Sequence, residues 1–294
     1  MNGDDWFVLG APWDCSGSER GEQDAPKALR TAGLSALVDV DRGDAACAIN
    51  SHHRDETTGV LSLAATVRAA EALAGALGEA LYDLPGRRPL VIGGDCSILL
   101  GILPALRRHV GPVGLWFIDG HPDFLDGTTS DTGETADMDL AVLTGVGAES
   151  LVSLGGPPPM VEEAEVVLLG HRAIALDADA VRELARLPAG LRRIDADAVI
   201  SDPVAAGERA AAWLAVAGQG VWLHLDVDVL DPQSLPAVTY PQPNGLGWEQ
   251  LETVLRPLAR SPRLLGMSVA DFRPDLDPDG KLARRLVQLL DRTL

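Results

Sequence analysis

The stretch "GVWLHLDVDVLDP", Gly220–Pro232, reads in two halves. The first is almost continuously apolar, as suits a central parallel strand covered on both faces, and a strand is expected over 220–229. The second sets Asp226 and Asp228 two residues apart and closes on Asp231–Pro232, a pair that fixes a turn. Five more runs share the apolar character, at 6–12, 89–95, 114–120, 165–171 and 264–272. Helical patterns lie between them, at 60–82, 97–109, 177–187, 204–217, 247–259 and 280–291. This alternation predicts an α/β fold, a parallel sheet with helices on both faces. No internal repeat or long linker breaks it, and the loop "GGPPPM" (155–160) is too short to separate domains. The chain, 1–294, is therefore expected to form a single three-layer domain.

Composition narrows the partners. With a net charge of −19 and only two lysines, Lys27 and Lys281, the chain has no basic face for nucleic acid or an anionic membrane. The charge suits a cationic substrate. The three cysteines, Cys15, Cys47 and Cys96, are widely spaced and form no C-x-x-C pair, so free thiols and a cytoplasmic location are expected. The opening "MNGDDWF" has no apolar signal region, and no run of 18 apolar residues occurs. Association into a homo-oligomer is left open.

The strands end in acids: Asp95, Asp119, Asp226 with Asp228, and Asp271. Ligands of open parallel sheets bind at the carboxyl ends of strands, so one acidic pocket is expected there. "FIDGHPDF" places Asp119, His121 and Asp123 at alternate positions, which share a face in an extended chain. One such triplet would pass for strand-end caps. Two sets on separate apolar strands would repel without cations, and carboxylates with imidazole suit a divalent metal. In "GGDCS" (93–97) a thiol, Cys96, follows a strand-ending acid. Whether this thiol belongs to the site or is an inert buried one is not decided by the stretch alone. Trp116 and Trp222 are expected to pack in the core, and His224 to pack rather than face the site.

In "GGDCS", "DGHPD" (119–123), "HLDVDVLDP" (224–232) and the opening "LGAPWDCSGSERGEQDAPKALRTAGL" (9–34), the chain resembles the arginase/agmatinase (ureohydrolase) family over nearly its whole length. The resemblance implies a sheet of about eight strands and two Mn²⁺ ions per chain. It also implies hydrolysis of a guanidino C–N bond to urea or hydroxyurea. One ion would be held by Cys96, Asp119, Asp123 and Asp226, the other by His121, Asp119, Asp226 and Asp228. Cys96 stands where the family has a histidine, which makes the cluster one unit more negative. Asp123 would pass a proton to the leaving nitrogen, and Asp271, in "ADFRP" (270–274), would hydrogen-bond the guanidinium. Arg172 matches a family arginine and is expected to be structural.

The resemblance also marks departures. In "FLDGTTSDTGETADMDLAVLTG" (124–145) the family's proton-shuttling histidine is Ala136. The asparagines that hold a substrate carboxylate become Leu125 and Glu134, while the nearby hydroxyl survives as Thr132. The acids that hold an α-amino group become Ala175 and Ala178. Ordinary arginase activity is not expected. The cysteine, the "TTSDTG" segment (128–133) and the absent shuttle resemble the branch that includes the N-hydroxy-arginine hydrolase of D-cycloserine biosynthesis. Agmatine-like, guanidino-acid and formimino substrates remain as alternatives, as does a metal-poor pseudoenzyme serving as a binding or regulatory subunit.

Overall fold

The computed structural model describes residues 5–216 and 218–294. Eight parallel strands form one sheet: β1 (Trp6–Ala11), β2 (Val40–Asp44), β3 (Arg88–Gly93), β4 (Gly114–Ile118), β5 (Val166–Leu169), β6 (Arg192–Ile194), β7 (Val221–Asp226) and β8 (Leu264–Ala270). Their order across the sheet is β2-β1-β3-β8-β7-β4-β5-β6. Among the described residues ten α-helices accompany them: α1 (Ala25–Thr31), α2 (Leu63–Asp83), α3 (Leu99–His109), α4 (Asp139–Leu143), α5 (Glu149–Val152), α6 (Ala178–Leu184), α7 (Ala196–Ser201), α8 (Pro203–Trp213), α9 (Trp248–Ala259) and α10 (Lys281–Thr293). No helix among the described residues is long and apolar enough to cross a membrane.

Every residue of β4 and β7 is buried, as their apolar sequences require. Side chains alternate across the sheet. Phe7, Val91, Phe117 and Trp222 face a core shared with α2, α3 and α4, while Val8, Ile92, Trp116 and Leu223 face one shared with α1, α8, α9 and α10. Trp116 and Trp222 are thus packing residues, each with its indole N–H bonded, to Ala210 O (3.0 Å) and Ser268 Oγ (2.9 Å).

The six apolar runs correspond to β1, β3, β4, β5, β7 and β8, with ends trimmed. β2 and β6 carry no such run. They are the two edge strands, "VDRGD" and "RRI", and β2 is largely exposed. An edge strand is not covered like a central one, so its sequence keeps its charges. The expected strands 114–120 and 220–229 stop at Ile118 and Asp226, and Val227–Val229 forms a 3-10 turn. The helix expected at 204–217 ends at Trp213, and position 217, like 1–4 of the opening, lies outside the described residues.

This topology positions the site. β3, β8, β7 and β4 are adjacent in the sheet although not consecutive in sequence, and their carboxyl ends open side by side. Gly94, just after β3, sits so close to the loop after β1 that a Cβ would lie 1.5 Å from the Trp13 carbonyl oxygen. Backbone meets backbone here, and neither can step aside. Gly94→Ala should destabilise the fold by about 3 kcal/mol or more, measured as the shift of the urea unfolding midpoint. An unchanged midpoint would contradict this packing.

Candidate metal centre

Cys96 opens a 3-10 turn directly after β3, and Asp95 caps that turn. The Asp95 carboxylate accepts from Ser97 N (3.1 Å) and Cys15 N (2.6 Å), and Ser97 Oγ also donates to it. Trp13 Nε1 and Thr135 Oγ1 reach Ser97 Oγ at 2.9 and 3.0 Å. Asp95 therefore does not join the pocket that its strand-end position suggested. It is fully buried and pins the loop after β1 to the turn that presents Cys96. Burial, with Asp14 and Glu22 nearby, raises its pKa to about 7 against the pull of these hydrogen bonds.

The other strand ends do converge, on a cavity of about 890 Å³. Cys96, Asp119, His121, Asp123, Asp226, Asp228 and Asp271 all line it. Asp119, His121 and Asp123 do not meet through strand alternation, because β4 has already ended. The chain turns instead, and Asp123 has φ 46°. Asp271, just past β8, has φ 66°. Left-handed backbone at a non-glycine residue costs on the order of 1–3 kcal/mol and persists only where the surroundings fix it. Gly120 allows the close turn: its N–H donates to Asp228 Oδ1 at 3.0 Å, and a Cβ would meet that oxygen at 2.8 Å.

Potential donor atoms within 4.8 Å of one another fall into overlapping triplets: Asp119, His121 and Asp123; Cys96, Asp119 and Asp226; Asp226, Asp228 and Asp271; and Cys96, Asp123 and Asp139. His121 Nδ1 lies 2.7 Å from Asp228 Oδ2. Burial would lower the His121 pKa, but Asp228 and Asp119 lift it to about 9. His121 and Arg172 in turn hold Asp228 below the usual carboxylate range despite its burial. Asp119, Asp123, Asp226 and Asp271 are all pushed well above that range, by burial first and then by neighbouring acids, Asp228 at Asp119, Asp226 and Asp271, and Asp119 with Asp139 at Asp123. Asp119 Oδ2 is buried with no hydrogen-bond partner. Buried, mutually repelling carboxylates with an orphaned oxygen are what a divalent cation would satisfy.

A sequence model described as the arginase family matches residues 4–294. The chain belongs to the arginase family. It is 31% identical to an arginase of Brevibacillus brevis over 300 residues, covering 96% of this chain and 95% of that enzyme. It is 32% identical to an N(omega)-hydroxy-L-arginine amidinohydrolase of Streptomyces lavendulae over 190 residues, covering 65% of this chain and 62% of that enzyme. The solved arginase of Bacillus caldovelox superposes with a TM-score of 0.86 at 29% identity, covering 98% of this chain and 97% of that one. As an arginase-family member the chain is a metal-dependent hydrolase of C–N bonds, and its fold is theirs, an eight-stranded parallel sheet flanked by helices.

Outside the carboxylate cluster the cavity differs from the sequence expectation in its partners. Thr132 and Glu134 both line it, but neither is free. Thr132 Oγ1 donates to Asp137 Oδ2 at 2.9 Å. Glu134 receives both terminal nitrogens of Arg20, at 3.1 and 2.8 Å. Arg20 lies 114 positions away, and nothing local in the sequence announces the pair. Asp139, Asp137 and Glu183 are further acids at the site that sequence reasoning passed over. The acidic run "ADMD" (136–139) was the available signal for the first two. Glu183 accepts Phe124 N at 2.9 Å and lines the cavity with Asp177 and Asp179, whereas Ala175 and Ala178, which stand where the family's α-amino-binding acids do, are not in its lining. His224 packs as expected: it is fully buried, stacks on Phe117, bonds Ser268 Oγ through Nδ1 (2.8 Å) and is pushed by burial to a pKa of about 3. Arg172 is structural, its guanidinium bonding the carbonyls of Asp228 (3.0 Å), Val229 (3.0 Å) and Gln242 (2.8 Å).

A carboxyl that keeps its proton to higher pH when folded stabilises the fold at low pH, and that gain is lost as pH rises through the folded pKa. Asp137, raised to about 6 by burial, and Asp95, raised to about 7, act this way, as do the raised carboxyls of the cluster in the absence of a cation. The metal-free protein should therefore melt lower at about pH 7.5 than at about pH 5. Mn²⁺ should raise the melting temperature more at the higher pH, because metal competes with protons for the same oxygens. Calorimetry at both pH values, with and without metal, checks this; an equal Mn²⁺ effect at both would contradict it.

Proposed function

We propose that the chain is a binuclear manganese amidinohydrolase acting on a guanidino or N-hydroxyguanidino compound, such as N-hydroxy-arginine, and releasing urea or hydroxyurea. The observation that carries this reading is the convergence of Asp119, His121, Asp123, Asp226 and Asp228 with Cys96 in one acid-lined cavity. Cys96, Asp119, Asp123 and Asp226 would hold one ion and His121, Asp119, Asp226 and Asp228 the other, with Asp119 and Asp226 shared. When bound, the ion pair supplies Lewis acidity and lowers the pKa of water at the site.

The remaining work belongs to the chain. A cavity lined by so many carboxylates draws in a cation and orients its guanidinium. Asp271, on the cavity wall beside Asp226, accepts hydrogen bonds from the guanidinium nitrogens. Asp123 receives a proton and returns it to the leaving nitrogen, which departs as a neutral amine. Its left-handed backbone fixes the direction of its carboxylate. Pairing with Asp228 raises the His121 pKa to about 9, so loading the site should release a proton.

The far end of the substrate meets a different wall. Leu125 is apolar and the charge of Glu134 is spent on Arg20, so neither holds an α-carboxylate as an asparagine would. An α-carboxylate is thus held weakly in L-arginine and N-hydroxy-arginine alike, which disfavours ordinary arginase activity and keeps agmatinase, guanidino-acid and formimino hydrolase activities as the second reading. A non-catalytic binding subunit, which Cys96 and Ala136 would suit, leaves the full set of converging carboxylates without a purpose.

Asp226→Ala should cost both ions and lower turnover by several powers of ten, on the order expected for loss of a metal-activated nucleophile. Two metals per chain retained by elemental analysis would refute the bridging assignment. In a screen of L-arginine, N-hydroxy-L-arginine, agmatine and guanidino acids for urea or hydroxyurea release, L-arginine should not give the highest kcat/KM. A clear preference for L-arginine would overturn this reading of the wall.

A further inference from the structure

Asp139, the first residue of α4, is fully buried and does not line the cavity. Neither of its carboxylate oxygens has a hydrogen-bond partner. The Leu140 N–H eases its charge without reaching hydrogen-bond geometry, and the charged groups that act on it most strongly are acids, Asp119, Asp95 and Asp271. A buried carboxylate in that position is among the most costly groups a fold can carry. One of its oxygens lies within 4.8 Å of both Cys96 Sγ and a carboxylate oxygen of Asp123.

The surroundings hold it there. Ala141 N donates to the Asp123 carbonyl at 3.2 Å, and Leu125 N to the Asp137 carbonyl at 3.1 Å, so the segment after β4 and the start of α4 are tied together. Cys96 Sγ reaches the Ala136 carbonyl at 3.1 Å, in the turn just before Asp139. The thiol therefore sits between two donor groups, with Asp119 and Asp226 in one and Asp123 and Asp139 in the other.

We propose that Asp139 is a ligand of the ion held by Cys96 and Asp123, an addition that accompanies the thiol at position 96. The inference rests on the metal centre proposed above. A thiolate is a soft donor, and Mn²⁺ prefers carboxylate oxygens. Where the site gives up an imidazole for sulfur, a further carboxylate beside Asp119, Asp123 and Asp226 restores the balance of hard donors. The same ion satisfies the buried carboxylate that the protein leaves without a partner.

The rival account is that Asp139 stays protonated and only donates a hydrogen bond within the cluster. Asp139→Asn separates the two, because the amide can donate as a protonated acid does but is a poor ligand. The full chain is stripped with a chelator and reloaded with Mn²⁺ or with Co²⁺, whose thiolate charge-transfer band reports on sulfur ligation. Wild type should take up two ions. Asp139→Asn should retain one tightly and bind the other more than about 100-fold more weakly, beyond the loss typical of a group that only supports a ligand. At matched free Co²⁺ the thiolate band should fall, and Cys96 should become open to alkylation in the presence of metal. The metal-free variant should melt no lower than metal-free wild type, which shows that it folds, and Asp139→Ala should repeat the result. A loss smaller than about 100-fold in a folded variant, with wild type holding two ions, puts Asp139 outside the ligand set and overturns this inference alone. Wild type that takes up no metal overturns the centre itself and the inference with it.

Discussion

Asp119, Asp123, Asp226, Asp228 and Asp271 are buried around one cavity at the ends of three neighbouring strands, with Cys96 beside them at the end of a fourth. Like charges that close, out of water, can be held only at a cost in free energy, either by keeping protons or by meeting cations. One pair is settled internally, Asp228 with His121. The others are left with raised pKa values and, at Asp119 and Asp139, with unpartnered oxygens. The fold withstands this because the strands beneath are fully buried and the turns above them are pinned by Asp95, Arg172 and the close contacts of Gly94 and Gly120.

The division between rigid support and chemistry follows the sheet. Below the strand ends lie the two apolar cores. At the strand ends, left-handed backbone at Asp123 and Asp271 aims carboxylates that a regular strand could not aim. Farther out, the wall carries Glu134, whose charge is matched by Arg20, and Asp137, one oxygen of which accepts from the Ser130 and Thr132 hydroxyls. A cationic head and an unmatched tail would thus meet different surroundings in the same cavity.

The central strands were legible because burial on both faces demands a continuous apolar run, and each such run proved to be a strand. The edge strands β2 and β6 were not, since strands at the sheet's margins carry no such run. The cluster of Asp119, His121, Asp123, Asp226 and Asp228 was legible for the opposite reason: acids at the ends of apolar strands have no ordinary packing role. That logic misled for Asp95, which looks the same in sequence but spends its oxygens on Cys15 and Ser97. It was silent for Asp139, which lies in a loop-to-helix segment where acids are commonplace.

The sequence by itself determined the class of fold, the strands that bear the chemistry and the kind of ligand their side chains suit, because those follow from local periodicity and residue type. Tertiary structure alone decided which acids meet. The order β3-β8-β7-β4 brings together positions 96, 271, 226 and 119, which the chain keeps far apart. It also brings Arg20 to Glu134 and Asp139 to Cys96. Charge interactions depend on distance through space and on exclusion of water, and neither is written in the spacing of residues along the chain.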